Sequence, residues 1–243
     1  MQRVNYNELP FIIPVEQEGY PASSQFVTQN IAQIIQETID GGRNKIIITT
    51  NLKTGLPMEN INKIAGPFIE AWAYESFSDV VSDINNRFNL ANVQAMKRLH
   101  FSNILLRFQP RRKSGTDLSA HVDVKATATD IVGSGRSPNI TSFARIRTAY
   151  LRDPDLLFIV LSLHHRVYSA KDPTSQTTND IVEVVGFHVY DLKYIAEAAL
   201  SYNPALGTGQ IQLRDITSVA LTQRTTWEFC QILDRKFLAS KKG

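Results

Sequence analysis

The sequence predicts a mixed α/β fold in which a central mixed sheet is flanked by helices. Segments with apolar residues three or four positions apart, which indicate helices, are interspersed with short alternating segments, which indicate strands. Residues 156–163 differ from both, because nearly every side chain in this run is apolar. A strand that is buried on both faces has this composition, so we expect this run to be the central strand.

Two helices are predicted in the first third of the chain. Residues 26–39 carry apolar side chains at helical spacing, and Gly41 follows where a helix commonly ends. A second apolar stripe predicts a helix over about residues 58–83. Because proline lacks the amide hydrogen that a helix interior needs, Pro67 is expected to kink this helix or to split it.

Strands are predicted around the middle of the chain. Residues 43–50 indicate one strand before the second helix, and residues 103–108 and 120–128 indicate two more after it. The polar segment 109–116 separates the latter two, so it is predicted to be the loop between them.

The second half of the chain is predicted to mix helices, loops and strands. A glycine-rich loop at 133–138 leads into a predicted helix over about 140–151. After the buried run, residues 170–180 are predicted to be a mobile loop and residues 181–190 a strand. The last element is predicted to be a helix over 225–238.

The length and composition favour one domain that lies in the cytoplasm. A chain of 243 residues with 43% hydrophobic content can bury a sizeable core. The apolar runs are far shorter than the roughly 20 residues that cross a bilayer, so no membrane segment is expected. The N-terminus does not follow the pattern of an export signal. The lone Cys230 excludes an internal disulfide and is expected to be a buried thiol in a helix.

The net charge of +3 is too small to establish nucleic-acid binding, but the basic residues are unevenly distributed. They concentrate in two parts of the chain, which contain Arg107, Arg111, Arg112 and Lys113, and then Arg145, Arg147, Arg152 and Arg166. On charge alone, a solvated basic surface and a surface that faces phosphates are equally good explanations.

The sequence His-Val-Asp-Val-Lys-Ala at 121–126 is the strongest candidate for a site. Side chains alternate along a strand, so Asp123 and Lys125 should share one face while Val122 and Val124 face the core. A carboxylate can hold a hard divalent cation, and a neighbouring ammonium can steady a phosphate or orient water. A single Asp-x-Lys also occurs by chance, and a surface ion pair is the commoner explanation of one copy.

A second Asp-x-Lys, at Asp191 and Lys193, is interpreted as structural. It follows the strand predicted over 181–190 and precedes residues 194–200, whose composition favours a helix, so it is expected to cap or turn the chain. Pro154-Asp155 is similarly predicted to be the turn before the buried strand.

The order of the elements and several motifs resemble a known family. A helix, antiparallel strands that end in Asp-x-Lys, a helix and a buried strand are similar to the core of the PD-(D/E)XK nucleases. Five stretches, in matching order over about residues 55–238, also resemble the HincII-type branch of type II restriction endonucleases. They are Ala-Gly-Pro-Phe-Ile-Glu at 65–70, Ser-Asn-Ile-Leu-Leu at 102–106, Asp-Val-Lys at 123–125, Ser-Pro-Asn-Ile at 137–140 and Gly-Gln-Ile-Gln-Leu-Arg-Asp at 209–215.

This resemblance implies a restriction-endonuclease-like core and a Mg²⁺-dependent active site. It makes Asp123 a metal-binding carboxylate, Lys125 the catalytic lysine and Glu70 the glutamate that the first core helix directs to the site. The carbonyl of Val124 would complete the metal ligands together with residue 103. That residue is the departure from the family, because Asn103 stands where the family has its first metal-binding aspartate.

Two explanations of this departure remain open. Asn103 is either an inactivating substitution, since an amide can bind Mg²⁺ but adds no charge, or Asp117 supplies the missing acid. We favour Asn103 as the residue at the site, because Asp117 lies six positions before Asp123, near the tip of the predicted hairpin.

Six residues on two glycine-containing segments are candidates for DNA recognition. Amide and guanidinium groups have the donor and acceptor geometry that base edges require. The two strongest candidates for base contacts are Asn139 and Asn203. The alternatives are an ordinary flexible loop, a helix cap at Asn139, and a plain amphipathic strand at 210–213. The candidates are Arg136, Ser137, Asn139, Asn203, Gln210 and Gln212.

The resemblance implies cleavage of double-stranded DNA at a short palindrome, leaving 5′-phosphates and blunt ends, and the two-fold symmetry of such a site predicts a homodimer. We predict one nuclease domain over 1–243, with an N-terminal extension and helix at 1–54, a catalytic core at 55–165 and a recognition and C-terminal helix region at 166–243. The alternatives are a repair or junction-resolving nuclease with the same core, and a DNA-binding protein with impaired catalysis.

Overall fold

A computed structural model describes residues 13–97, 100–109, 117–131, 136–174, 177–204 and 209–240. Within these residues the chain has the predicted mixed α/β architecture, with a six-stranded sheet, a three-stranded sheet and helices against both.

The basic residues 111–113 and the glycine-rich residues 133–135 of the sequence prediction lie outside the described residues. The elements are α1 (Tyr20–Asp40), β1 (Lys45–Thr49), α2 (Met58–Ser82), β2 (Leu90–Ala95), β3 (Ile104–Phe108), β4 (Leu118–Ala128), β5 (Asn139–Ser142), α3 (Phe143–Arg152), β6 (Leu157–Lys171), β7 (Thr178–Asp191), β8 (Leu200–Asn203), β9 (Gln210–Leu213) and α4 (Thr226–Ser240).

The large sheet has the strand order β1-β7-β6-β4-β3-β2. Strands β4 and β6 are parallel, and the other neighbours are antiparallel. The apolar strand β6 lies between β7 and β4, and Ile159, Val160 and Leu161 are fully buried. The prediction that this run forms the central strand is therefore confirmed.

Two hydrophobic cores lie against the strands. Helices α1 and α2 pack over the large sheet, where Ile31, Phe77 and Ile159 belong to the first core. The second core gathers α3, α4 and the small sheet β5-β9-β8 around Phe158 and Val160. Because neighbouring residues of a strand point to opposite faces, β6 supplies side chains to both cores.

Several predicted elements differ from the structure. Residues 139–142 form β5 rather than the start of a helix, and α3 begins only at Phe143. Residues 194–200 are not a helix, since they contain the short 3₁₀ turn Glu197–Ala199 and enter β8. In both places the chain pairs with β9, which is distant in sequence, and this pairing overrides the local helical preference.

Three smaller differences concern lengths and an unpredicted strand. Strand β2 was not predicted, because it is a largely exposed edge strand without clean alternation. Strands β6 and β7 extend into the segment predicted to be a mobile loop, to Lys171 and from Thr178. Helix α2 continues through Pro67 without being split.

Two other expectations, a turn and a buried thiol, are confirmed. Residues 154 and 155 form a turn before β6, and Cys230 is a buried free cysteine in α4. Within the described ranges, none of the helices has the length and apolar character that crossing a membrane requires.

Candidate active site

Strand β4 carries the paired carboxylate and amine on one face. Val122 and Val124 point into the first hydrophobic core, as the alternating pattern predicts. On the other face, Lys125 Nζ lies 3.1 Å from Asp123 Oδ2. Asp123 is 4% exposed, so this pair is not an ordinary surface ion pair.

Asn103 is held directly beside this strand. It lies at the start of β3, where its backbone N–H donates to the Val122 carbonyl over 3.0 Å. The backbone N–H of Val124 donates to Asn103 Oδ1 over 2.7 Å. The two bonds fix Asn103 next to the Asp123–Lys125 strand, and the second of them occupies one lone pair of the oxygen that a metal would need.

A cavity of about 900 Å³ is lined by three of the four predicted catalytic residues, and the fourth, Lys125, is ion-paired with one of them. Glu70 of α2, Asn103 and Asp123 line it, and helix α2 packs against β4. Gln210 of β9 and Arg145 of α3 line the same cavity. The small sheet that carries the recognition candidates therefore reaches the same cavity as the catalytic candidates.

Burial controls the electrostatics of the two carboxyl groups. Desolvation raises the pKa of Asp123 to about 7, although Lys125 acts to lower it, and Glu70 raises it further by like-charge repulsion. Desolvation also raises the pKa of Glu70, and Lys125 again opposes the change. The site is therefore short of positive charge, which a bound cation would supply.

The donor atoms fit a hard divalent cation, but with fewer charges than three carboxylates would give. Asp123 Oδ2 is buried, and within the described part of the chain it has no hydrogen-bond partner besides its ion pair with Lys125. A buried carboxylate oxygen with lone pairs left over is the ligand type that Mg²⁺ prefers. In that same part of the chain, no three His, Cys, Asp or Glu side chains lie close enough together to hold a metal ion. Asn103 in place of an acid is consistent with this finding.

Asp117 lies elsewhere. It precedes β4 and lines a different cavity, together with Tyr20 and Asp155. At the strand rise of about 3.3 Å per residue, six positions separate it from Asp123 by roughly 20 Å. Its side chain accepts a long hydrogen bond of 3.4 Å from Gln109. This placement favours Asn103 over Asp117 as the residue beside Asp123.

The sequence analysis missed a histidine cluster beside the site. Ser102 Oγ lies 3.0 Å from His100 Nδ1 and 3.2 Å from His121 Nδ1. The His121 ring is 5.5 Å from that of His100, and burial and this neighbour lower the pKa of His121 to about 4. Alternation along β4 could have identified His121, because it lies on the same face as Asp123 and Lys125.

The strongest recognition candidates contact each other. Asn203 Nδ2 donates to Asn139 Oδ1 over 3.1 Å, between β8 and β5. Asn139 is paired with Gln212 of β9, and Asn203 with Gln210. The N-cap position of α3 is Ser142 rather than Asn139, so the helix-cap explanation of Asn139 is wrong.

The remaining recognition candidates lie on β9 or beside it. Gln212 Nε2 donates to the Ser137 carbonyl over 2.9 Å, and the Ser137 hydroxyl donates to the Arg214 carbonyl. Arg136 is exposed, and its carbonyl accepts from the Ile216 N–H. These bonds make Ser137 and Gln212 supports of the loop as well as candidates for DNA contact.

The second Asp-x-Lys is structural, as predicted. Asp191 ends β7 and accepts a hydrogen bond from the Lys193 N–H. Lys193 is fully buried, with Nζ 3.3 Å from Glu16 Oε1 and 3.1 Å from Thr226 Oγ1. Its ammonium also lies 3.1 Å from the centre of the Tyr20 ring. This network joins β7 to the N-terminal segment and α4, away from the candidate active site.

The sheet, the Asp123–Lys125 pair and the cavity define a nuclease-like site, and comparison with known proteins gives the family. Residues 7–243 match the family model described as type II restriction endonuclease HpaI. The chain therefore belongs to this family of type II restriction endonucleases. A curated relative, the type II restriction enzyme HpaI of Haemophilus parainfluenzae, is 52% identical over 230 residues, which cover 95% of this chain and 89% of the relative.

Proposed function

We propose that this protein hydrolyses phosphodiester bonds of double-stranded DNA at a short palindromic site, with Mg²⁺ as cofactor. The observation that carries the proposal is the ion pair between Lys125 and the buried Asp123, whose carboxylate lines one cavity with Glu70 and Asn103. Family membership supports the reaction class.

The metal would be held by the carboxylate of Asp123, the amide oxygen of Asn103 and the carbonyl of Val124. When bound, Mg²⁺ supplies charge that stabilises the pentavalent phosphate and polarises water. The Val124 N–H points toward Asn103, and the carbonyl of a strand residue points to the same side as its N–H, which supports this role for the Val124 carbonyl.

Lys125 and Glu70 would act on the water and the phosphate. The ammonium of Lys125 can donate to a non-bridging phosphate oxygen and orient the attacking water. Glu70 faces the same cavity with a raised pKa, so it can accept a proton from water directly or through a second water. Burial of Asp123 lowers the local dielectric constant and strengthens its charge interactions.

Specificity would come from the small sheet. Asn139 and Asn203 each carry an amide that can donate to and accept from one base edge, and their mutual bond fixes the orientation of both. Gln210, Gln212, Ser137 and Arg136 lie beside them and would contact DNA or support the loops.

A palindromic site implies two related subunits, since one active site cuts one strand. We therefore propose a homodimer. From the family resemblance we also propose 5′-phosphate and blunt ends, and one nuclease domain with the catalytic core at 55–165 and recognition elements at 166–243.

A second candidate is a DNA-binding protein with impaired catalysis. The supporting observation is Asn103, which adds no charge and whose oxygen already accepts the Val124 N–H. Incubation of mixed plasmid DNA with the protein and Mg²⁺ separates the candidates. Discrete fragments are expected. Retention of DNA without cutting would identify the impaired protein, and nicking only at branched structures would identify a junction nuclease.

A further inference from the structure

One face of α3 is fixed against the rest of the protein. Phe143, Ile146 and Tyr150 are buried in the second hydrophobic core. On the side toward α4, Arg147 makes two hydrogen bonds to Asp234, of 2.6 Å from Nε and 2.9 Å from Nη2. A bidentate pair of this kind has a defined geometry, so it sets the rotation of α3 about its own axis.

The opposite face of α3 is basic and lines a groove. Arg145, Thr148 and Arg152, at positions i, i+3 and i+7, form this face, which we call the α3 surface. The groove beside it has a volume of about 510 Å³, and His100 and Phe101 form its other wall. Arg152 is exposed and has no carboxylate within ion-pair distance among the residues that the structure describes.

The groove continues into the candidate active site. Arg145, His100 and Phe101 line both the groove and the 900 Å³ cavity that contains Asp123. A polyanion that places one phosphate at Asp123 would therefore extend along the α3 surface without a break.

We propose that the α3 surface binds backbone phosphates of the DNA duplex that flanks the cleaved bond. This inference rests on the proposed function. It adds a contact between the protein and DNA that does not depend on the base sequence. Arginine forks match phosphate oxygens, and Thr148 can add a hydroxyl donor. Arg145 and Arg152 are about 10 Å apart along the helix axis. Two guanidinium groups at this separation can contact different phosphates of one strand.

The test is the salt dependence of DNA binding by Arg145→Gln, Arg152→Gln and the double variant, in buffer without Mg²⁺. Each phosphate contact contributes about 0.9 to the slope of log K against log salt concentration. We expect each single variant to lower the slope by about 0.9 and the double variant by about twice as much. Cognate and random duplexes should change equally, because phosphate contacts carry no sequence information.

The length of the duplex locates the contact. Shortening a cognate duplex to the recognition sequence alone should lower the slope of the wild type and remove its difference from the double variant. The matched control is Lys45→Gln, which removes an exposed charge from β1, three strands away from β4 in the sheet. Its slope should equal that of the wild type, and the urea midpoints of all variants should be unchanged.

Three results would overturn the inference: an unchanged slope in the double variant, a loss confined to the cognate duplex, or an equal loss in Lys45→Gln. The test is independent of the proposed function. If plasmid DNA is not cut into discrete fragments but the slopes fall as expected, the α3 surface stands and the proposed function fails.

Discussion

Asn203 donates a hydrogen bond of 3.1 Å to the side-chain oxygen of Asn139, which couples the two segments that the sequence offers for DNA recognition. The bond joins β8 to β5 across a small sheet whose middle strand is β9. Because each amide keeps further donor and acceptor capacity, the pair can present a fixed pattern to a base edge.

Replacing Asn139 by Ala should weaken cognate binding selectively. The loss of an amide contact to a base costs about 1–3 kcal/mol of discrimination, whereas random DNA should bind almost as before. The measurements are the affinities of the variant for cognate and random duplexes, together with its urea midpoint as a check on stability. A parallel loss of cognate and random binding would show a phosphate contact instead. Asn203→Ala should give a similar loss, and the double variant less than the sum, because the two amides act together.

Gly209→Ala should disturb the same recognition segment. Gly209 has a φ of +62°, and a Cβ atom added there would lie 1.8 Å from the Tyr202 hydroxyl. Tyr202 packs edge-on against Phe143 at 5.7 Å, so its ring cannot move freely. We expect reduced cognate binding with little change in random binding. Adding Tyr202→Ala to the Gly209→Ala variant should restore part of the cognate affinity by removing the clash. If the affinity does not recover, backbone strain alone causes the reduced cognate binding.

The buried Lys193 should matter for stability and not for the chemistry. Lys193→Met removes the ammonium that lies between Glu16, Thr226 and the Tyr20 ring. Breaking a buried charge network by removing one partner costs roughly 3–5 kcal/mol. The free energy of unfolding should fall by that amount, while cleavage per folded molecule stays at the wild-type rate. A specific loss of cleavage would show that the second Asp-x-Lys is not merely structural.

The stability of the metal-free protein should depend on the ionisation of Asp123. Its pKa is raised from 3.8 to about 7 in the folded state, so the folded protein binds the proton more tightly than the unfolded chain. This contribution to stability is complete below about pH 4 and is lost as the pH rises to about 7. The difference is on the order of 4 kcal/mol.

Urea unfolding in a chelator, from pH 4 to 8, measures this effect for the wild type and Asp123→Asn. The stability of the variant relative to the wild type should increase as the pH rises through this window. His121, whose pKa is lowered to about 4, is present in both proteins and cancels in the comparison. A pH-independent difference would contradict the assigned pKa.

How far the sequence alone predicts this structure depends on whether the relevant contacts are local. Alternation along one strand correctly placed Asp123 and Lys125 opposite Val122 and Val124, because it needs no knowledge of neighbouring strands. The apolar composition of β6 likewise revealed its central position.

The errors arise where distant pairing decides the structure. Strands β5 and β8 both pair with β9, and neither partner can be inferred from the local pattern. The contact between Asn139 and Asn203 depends on this sheet, so the sequence could suggest each residue but not their hydrogen bond. Similarly, the groove along α3 appears only when His100 and Phe101 lie opposite Arg145 and Arg152.

The substitution of an acid at position 103 should strengthen metal binding. Asn103→Asp keeps an oxygen that can accept the Val124 N–H and adds a negative charge beside Asp123. If Asn103 is a weakened ligand, cleavage with Mg²⁺ should rise by orders of magnitude, and half-maximal activity should occur at a lower Mg²⁺ concentration. Asp117→Asn is the matched control and should leave cleavage unchanged. Loss of cleavage in that control would instead make Asp117 the first acid.

Asp123→Asn tests whether Asp123 holds the metal ion for DNA hydrolysis. The amide has nearly the shape of the carboxylate but lacks its charge. Cleavage of plasmid DNA in Mg²⁺ is measured alongside binding of a cognate duplex in metal-free buffer, using the wild type or Asn103→Asp as the active parent. We expect loss of cleavage with binding retained, because the carboxylate binds the ion and does not read bases. Cleavage at the parent's rate would show that Asp123 does not hold the ion.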